Sequence, residues 1–366
     1  MANITNVLNK LQLIAPTSNH EDWLYYDIEN LLSSEFENNE TNKSNLKHEG
    51  FVLHFVNGTL VHHYLPASIK LKETTITPNN TNNSFIHLAI KHSTNYEIEC
   101  ASEVIEPIHM IFENSENNLQ STALEINLKN KAKLHIKRHF IAPSSSCLIS
   151  YLNNKIDHES ELSITDINNN NPGRVLDFID AELGNESTFN SLNQSYLSEQ
   201  SRFQNRVFIN GEFSVANLHG LAINQKEQAC FYNTHIYHDA ENSESNQLFK
   251  SMVKANATLE YNGKVTVCKK AQKTNSYQLN QNILLDDYAH VYSRPQLFID
   301  ADDVKCTHGS TTGDINEHEV LYLMSRGLDQ LTSRKIVLNA FFEEVFNNDI
   351  FKREQLDIHQ ILNEIL

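Results

Sequence analysis

The chain has 366 residues, enough for one large core or for two or three smaller ones. Its 29 Lys and Arg against 46 Asp and Glu leave a formal charge of -17, which argues against a sequence-independent nucleic-acid binder, because such a binder needs a net basic surface to displace counterions. A hydrophobic fraction of 40%, with abundant Asn, Ser and Thr, suits many short strands joined by polar turns. The five cysteines, Cys100, Cys147, Cys230, Cys268 and Cys306, are far apart, odd in number and free of CxxC spacing. This disfavours a disulfide framework or a structural zinc site and fits a reducing compartment. No run approaches the roughly 20 apolar residues of a membrane span. The first twenty residues hold one basic residue, Lys10, and no apolar signal core, so a cytoplasmic protein is expected.

In chain order, Ile4, Val7, Leu8, Leu11 and Ile14 are spaced for a short amphipathic helix over 3–15. A second helix is expected from Ser18 or Asn19, carrying Trp23, Tyr26, Ile28, Leu31 and Leu32; residues 37–47 are polar and read as a linker. From Phe51 the signal is β, with Asn57-Gly58 as a tight turn leading to Leu60-Val61. Residues 84–92 form another apolar segment with helical character, and strand-like runs separated by polar turns then continue to Ile299. Within them a polar-small-polar-apolar phrase recurs as Lys131-Ala132-Lys133-Leu134, Glu159-Ser160-Glu161-Leu162, Glu186-Ser187-Thr188-Phe189 and Asn256-Ala257-Thr258-Leu259. The first three are about 27 residues apart, the scale of stacked solenoid coils. A β-sandwich gives similar alternation, but one core rarely spans so many strands. At the end of the chain, Asn316 with Glu319 resembles a capping box, Gly327 is placed to stop that helix, Thr332 can cap a second, and Ile358, Ile361, Leu362 and Ile365 mark a third. The chain thus divides into an N-terminal helical lobe and linker (1–48), a mixed segment (49–120), a β core (121–312) and a C-terminal helical domain (313–366).

The seam over 295–328 carries the only close Cys and His pair, Cys306 and His308. Two residues apart on a strand, they share a face. A shared soft-metal ligand site is therefore geometrically possible. Lys305 beside Cys306 is expected to lower the thiol's pKa. The residues alone leave open the blander alternative of a buried structural Cys and a hydrogen-bonded His. His235 and His238 fall on opposite faces of a strand, as do His62 and His63, and neither pair can chelate together. Asp300, Asp302 and Asp303 lack calcium-loop spacing and read as a solvated turn. No Walker lysine motif, GxSxG elbow or dinucleotide fingerprint is present, so ATP hydrolysis by this chain is not expected.

The phrases Asn205-Arg206-Val207, Gly263-Lys264-Val265-Thr266-Val267, Ala271-Gln272-Lys273-Thr274 and Gln278-Leu279-Asn280-Gln281-Asn282-Ile283-Leu284-Leu285, and above all 301–309 with Ser325-Arg326-Gly327, resemble the SufB/SufD family of iron-sulfur cluster assembly proteins. The likeness runs in order over about 205–346 and extends more weakly to the Glu21-x-Trp23-x-Tyr25-x-Asp27 phrase, which is more like SufD than SufB. Phe231 departs from it, standing where an acidic residue is common. The resemblance implies a mainly β fold: a right-handed parallel β-helix with a small N-terminal α/β lobe and a C-terminal helical domain. It also implies a non-catalytic scaffold subunit, paired with a SufB-like paralogue through the end of the β-helix. A SufC-like ATPase would dock on the C-terminal helices, for which Val320, Tyr322, Met324, Arg326, Phe341 and Phe342 are the candidate contacts. His308, with Cys306 beside it, falls on the position implied for a ligand of transient iron or an iron-sulfur cluster, and no cofactor is expected to stay on the isolated chain. The alternatives are a SufB-like scaffold acting as a homodimer and, from another class, a β-helix polysaccharide-active enzyme.

Overall fold

In a computed structural model the described residues are all except 1, 38–43, 45, 80, 348–350 and 355–357, so the linker expected over 37–47 lies mostly outside them. Parallel strands stack as a β-solenoid of about 8 turns. Successive strands alternate between two sheets. The first has nine strands, ending at His290–Ile299; the second has ten, ending at Lys305–Gly313. Strand Cys147–Ile156, for example, lies between Leu119–Leu128 and Arg174–Leu183, with Leu148 level with Gln120 and Val175. The parallel ladders reach back past residue 121, to Tyr96–Cys100 in the first sheet and Phe51–Val56 in the second. Beyond these strands the direction reverses: Thr59–Tyr64 returns antiparallel on Phe51–Val56, through a turn with positive φ at Asn57 and Gly58, and Ile69–Glu73 pairs antiparallel with Tyr96–Cys100.

In its first three occurrences the recurring phrase is the corner of a coil that enters a second-sheet strand; Asn256-Ala257-Thr258-Leu259 instead follows a positive φ at Ala255 and enters a strand of the first sheet. Lys131, Glu159 and Glu186 adopt positive φ, as do Phe213, Asn242 and Lys273 at equivalent corners. The next residue is small and buried: Ala132, Ser160, Ser187, Ser214, Ser243 or Thr274. Where that residue has a hydroxyl, it donates to a corner carbonyl, as from Ser187 to Gly184 at 2.8 Å and from Thr274 to Ala271 at 2.9 Å. A left-handed residue turns the chain, and a small one lets it pass close to the coil beneath.

Both outer faces are partly covered. Ile4, Leu8, Trp23, Tyr26, Ile28 and Phe85 of the N-terminal lobe pack on Ile149, Tyr151, Phe178 and Phe231 of the first sheet. C-terminal residues including Val337, Leu338, Phe342, Phe346 and Leu362 pack on Leu192, Leu221, Ile223 and Met252 of the second. The C-terminal helices are Glu317–Ser325, Gln330–Glu343 and Ile358–Ile365. Asn316 caps the first, and Gly327, at φ 96, follows its end. The second is capped by Asp329 rather than Thr332: Asp329 accepts from the Thr332 N–H at 2.9 Å and from its hydroxyl at 2.7 Å. The single helix expected around Trp23 is instead a 3₁₀ turn, Glu21–Trp23, followed by helix Ile28–Ser33, because Asp27 caps a new start by accepting from Asn30 N–H at 3.2 Å. No helix of the described residues is long and apolar enough to cross a membrane.

A charged centre is sealed inside. Arg138, 0% exposed, donates to both oxygens of Asp166 (2.6 Å each) and of Asp177 (2.8 and 2.6 Å). One guanidinium serves two carboxylates, and burial outweighs the pairing at Asp166, whose pKa is pushed up to about 6 from 3.8 despite the attraction of Arg138.

Arg138→Ala should cost about 3–5 kcal/mol, since it strands two buried carboxylates; chemical denaturation checks this. The raised pKa of Asp166 means that the folded state holds that proton more tightly than the unfolded chain. The stabilisation from this group is therefore full below about pH 4 and lost as pH rises through about 6, a change on the order of 3 kcal/mol. The stability of the wild type relative to Asp166→Asn should fall across that window, and a flat difference would contradict the assignment.

Candidate functional site

At its C-terminal end the solenoid stops on two parallel strands. Strands His290–Ile299 and Lys305–Gly313 pair only on their inner sides, with Thr258–Val267 and Asn275–Leu284, so each sheet ends in an edge among the described residues. Phe298 and Ile299 on the last first-sheet strand are 53% and 40% exposed, unlike the residues of earlier coils beneath them. An exposed edge flanked by apolar side chains is a template for pairing with another chain.

Cys306 and His308 lie at consecutive core-side positions of that last strand. Cys306 is level with Ser276 and His308 with Gln278, both buried toward the solenoid interior. Cys306 is half-buried against a cluster of Val265, Val267, Ala271 and Ala301, whereas His308 is exposed. Burial raises the Cys306 thiol's pKa, partly offset by a backbone hydrogen bond at Ser276. The lowering expected from Lys305 is not seen, because adjacent strand residues point to opposite faces. Gln278 donates Nε2–H to Tyr261 Oη at 2.8 Å, and its Oε1 is buried without a protein partner at the position level with His308. The Ser293 and Ser310 hydroxyls, 2.8 Å apart, bridge the two sheets, and Ser293 also donates to Asn280 Oδ1 at 2.8 Å. Among the described residues, no three His, Cys, Asp or Glu side chains are grouped to hold a metal. Cys306 and His308 are thus two donor-bearing side chains on one face, without a third beside them among the described residues.

The other sequence candidates separate cleanly. His235 sits on the outer face, 2.9 Å from Thr266 Oγ1, while His238 is buried between Ser243 and Ser245, so the two do face opposite ways. Asp300, Asp302 and Asp303 are exposed in the turn between the last two strands. On the C-terminal helices, Val320 and Phe342 are buried at 1% and 0% exposure and Phe341 packs on the core, so the first two cannot present a docking face. Tyr322, Met324 and Arg326 are exposed, together with Leu321 and Ile336. A groove of about 360 Å³ runs between the first two helices, lined by His318, Tyr322, Leu323, Ile336 and Ala340.

The sequence did not foretell what holds the last first-sheet strand. Trp23 anchors the N-terminal lobe against Tyr26, Phe85 and the Arg202 guanidinium. Its alternate neighbours reach further: Tyr25 stacks on Tyr292 with centroids 3.7 Å apart, and Glu21 accepts from Gln296 at 3.0 Å and from Lys264 at 3.1 Å. These bonds hold the Glu21 carboxyl below its ordinary pKa. The alternation of Glu21, Trp23 and Tyr25 was the available signal.

The profile of the family described as SUF system FeS cluster assembly, SufBD core domain, matches residues 111–341, more than half of the chain. Iron-sulfur cluster assembly protein SufD of Escherichia coli is 36% identical over 137 residues, 37% of this chain and 32% of that protein. A SufBD family iron-sulfur cluster assembly protein of Synechocystis is 42% identical over 103 residues, 28% and 23% of the two chains. SufD of Bacillus subtilis is 27% identical over 144 residues, 39% and 33%. The aligned stretches thus span about a third or less of these relatives.

If the Glu21 and Tyr25 contacts fasten the last strand, Glu21→Gln with Tyr25→Ala should speed amide hydrogen exchange in 290–299 while leaving Cys147–Ile156 unchanged. Equal protection in the variant would show that the ladder with Thr258–Val267 suffices.

Proposed function

The chain belongs to the SufBD core family of the SUF iron-sulfur assembly system, and from that premise we propose that it is a SufD-like, non-catalytic subunit of an assembly scaffold. The observation that carries this reading is an unpaired sheet edge on which Cys306 and His308 share the core-side face. A SufB-like paralogue would continue the sheets at His290–Ile299 and Lys305–Gly313 and complete the shell that Cys306 and His308 begin. Iron or a nascent cluster is cargo here, held only while the partner is in place. His308, exposed, would be the principal ligand. Cys306, with its thiol pKa raised by burial, is the less ready ligand until a metal displaces its proton. The five free cysteines suit a reducing, cytoplasmic setting for this chemistry.

The ATP-hydrolysing partner would be a SufC-like ATPase docked on the C-terminal helices. Their outward face, with Leu321, Tyr322, Met324 and Ile336, supplies apolar anchors around a groove, the usual core of a protein interface.

His308→Ala should reduce cluster formation on the assembled complex by about tenfold or more, with Cys306→Ser giving the smaller loss. Anaerobic reconstitution with the SufB-like and SufC-like proteins measures both. Full assembly by His308→Ala would remove the proposed ligand, and a stable cluster on the isolated chain would favour a homodimeric SufB-like scaffold instead. Tyr322→Ala with Leu321→Asp should weaken ATPase capture by about tenfold without altering the circular dichroism spectrum.

A further inference from the structure

The outer face of the second sheet, near the end opposite the cluster site, carries a group of imidazoles that the assembly role does not use. His54 on Phe51–Val56 is 1% exposed. Its Nε2 lies 2.9 Å from Glu113 Oε2 and its Nδ1 3.1 Å from His48 Nε2. His62, level with His54 on the edge strand Thr59–Tyr64, stacks on the His48 ring with centroids 4.9 Å apart and planes at 9°. An ionised carboxylate only accepts, so Glu113 fixes the His54 proton on Nε2 and leaves Nδ1 as a lone pair aimed at a second imidazole nitrogen. A carboxylate behind one nitrogen and an open lone pair on the other is the arrangement that orients a metal-ligating histidine. Two nitrogens about 3.3 Å apart are also what a tetrahedral ion with bonds of about 2.0–2.1 Å requires.

We propose that His54 and His48, oriented by Glu113 and joined by His62, form a binding site for a borderline divalent transition-metal ion such as zinc or cobalt. No three of these groups yet converge on one point, so the ion closes the site. It replaces the His48–His54 contact, takes water in its open positions and draws in His62, which is exposed on the edge strand and already stacked on His48. Burial keeps His54 and His48 less readily protonated than a free imidazole, which favours the neutral form that ligates. Imidazole donors select zinc, cobalt, copper or ferrous iron over magnesium and calcium. The site lies on residues unrelated to the cluster edge and stands or falls independently of the scaffold reading.

The test is zinc titration of the full chain in a Cys306→Ser, His308→Ala background, read by equilibrium dialysis and thermal unfolding, with cobalt absorption as a second probe. The parent should retain one zinc and gain thermal stability on binding. His48→Ala should weaken binding tenfold or more, and Glu113→Gln about tenfold. His62→Ala, on an exposed strand where folding is not at risk, should also weaken it. His139→Ala, which breaks the neighbouring His109–His139 contact of 3.2 Å, should change affinity less than about twofold. Absence of retained zinc, or equal affinity in the parent and in His48→Ala and His62→Ala, overturns the proposal and leaves a plain N–H···N hydrogen bond.

Discussion

The hydrogen bonds of a β-solenoid run between coils, so each coil must lie in register on the one beneath. That constraint repeats the corners, with their left-handed residue and small buried follower. It also stacks like on like. Phe55, Phe112 and Phe140 form a stacked file, and Asn246 donates to Asn217, which donates to Asn190, on successive strands. It further means that neither end can satisfy itself by continuing the pattern. At the N-terminal end the chain reverses, and antiparallel strands Thr59–Tyr64 and Ile69–Glu73 cover the last parallel ones. At the other end it leaves as a helix, and both edges stay open. On the scaffold reading, the parallel edges of the final coil, rather than the antiparallel edge strands at the other end, would receive the partner.

The interior makes that exposure tolerable. A purely apolar cross-section would lose burial where the coils stop, at roughly 25 cal/mol per Å². Here the core-facing positions of the last coil include Ser293, His308, Ser310 and Thr312, continuing a polar file of Tyr261, Gln278, Asn280 and Asn282 below. Water can satisfy these groups while the chain is alone, and a partner's polar side chains can replace it. The same preference for internal polar groups has a cost deeper in, where Arg138 must hold two carboxylates away from solvent.

The corner phrase was legible because the register constraint acts on local sequence. The C-terminal helices were legible from their caps and apolar residues, but which of those residues pack inward was not: Val320 and Phe342, expected as surface contacts, are buried. Strand alternation was blurred where both sheet faces are buried, as in Cys147–Ile156, where nearly every residue is covered. The shared face of Cys306 and His308 followed from period two alone, but the same period sets Lys305 opposite Cys306. Beyond the alternation of Glu21, Trp23 and Tyr25, the partners of contacts between distant segments left no local trace. Glu21 meets Gln296 across 275 residues, and His54 meets Glu113 on one side and His48 on the other, with His62 stacked on His48.

The two edges of the open coil are held by different lobes. The first-sheet edge is pinned from outside by Glu21 and Tyr25 of the N-terminal lobe. The second-sheet edge, with Cys306 and His308, passes through residues 314–316 directly into helix Glu317–Ser325, and Ile315 is buried in the helical cluster. The helices are thus joined covalently to the strand bearing Cys306 and His308, and by packing to Leu192, Leu221, Ile223 and Met252 of the strands below it, while the neighbouring edge is held by the other lobe. Near the rim, the Ser293–Ser310 hydroxyl contact resists relative displacement, and it is weak beside a full ladder of backbone bonds. On the scaffold reading, an ATPase that moves the helices would act on the strand carrying Cys306 and His308 against the ladder that joins it to Asn275–Leu284, with the hydroxyl contact tying that edge to its neighbour at the rim.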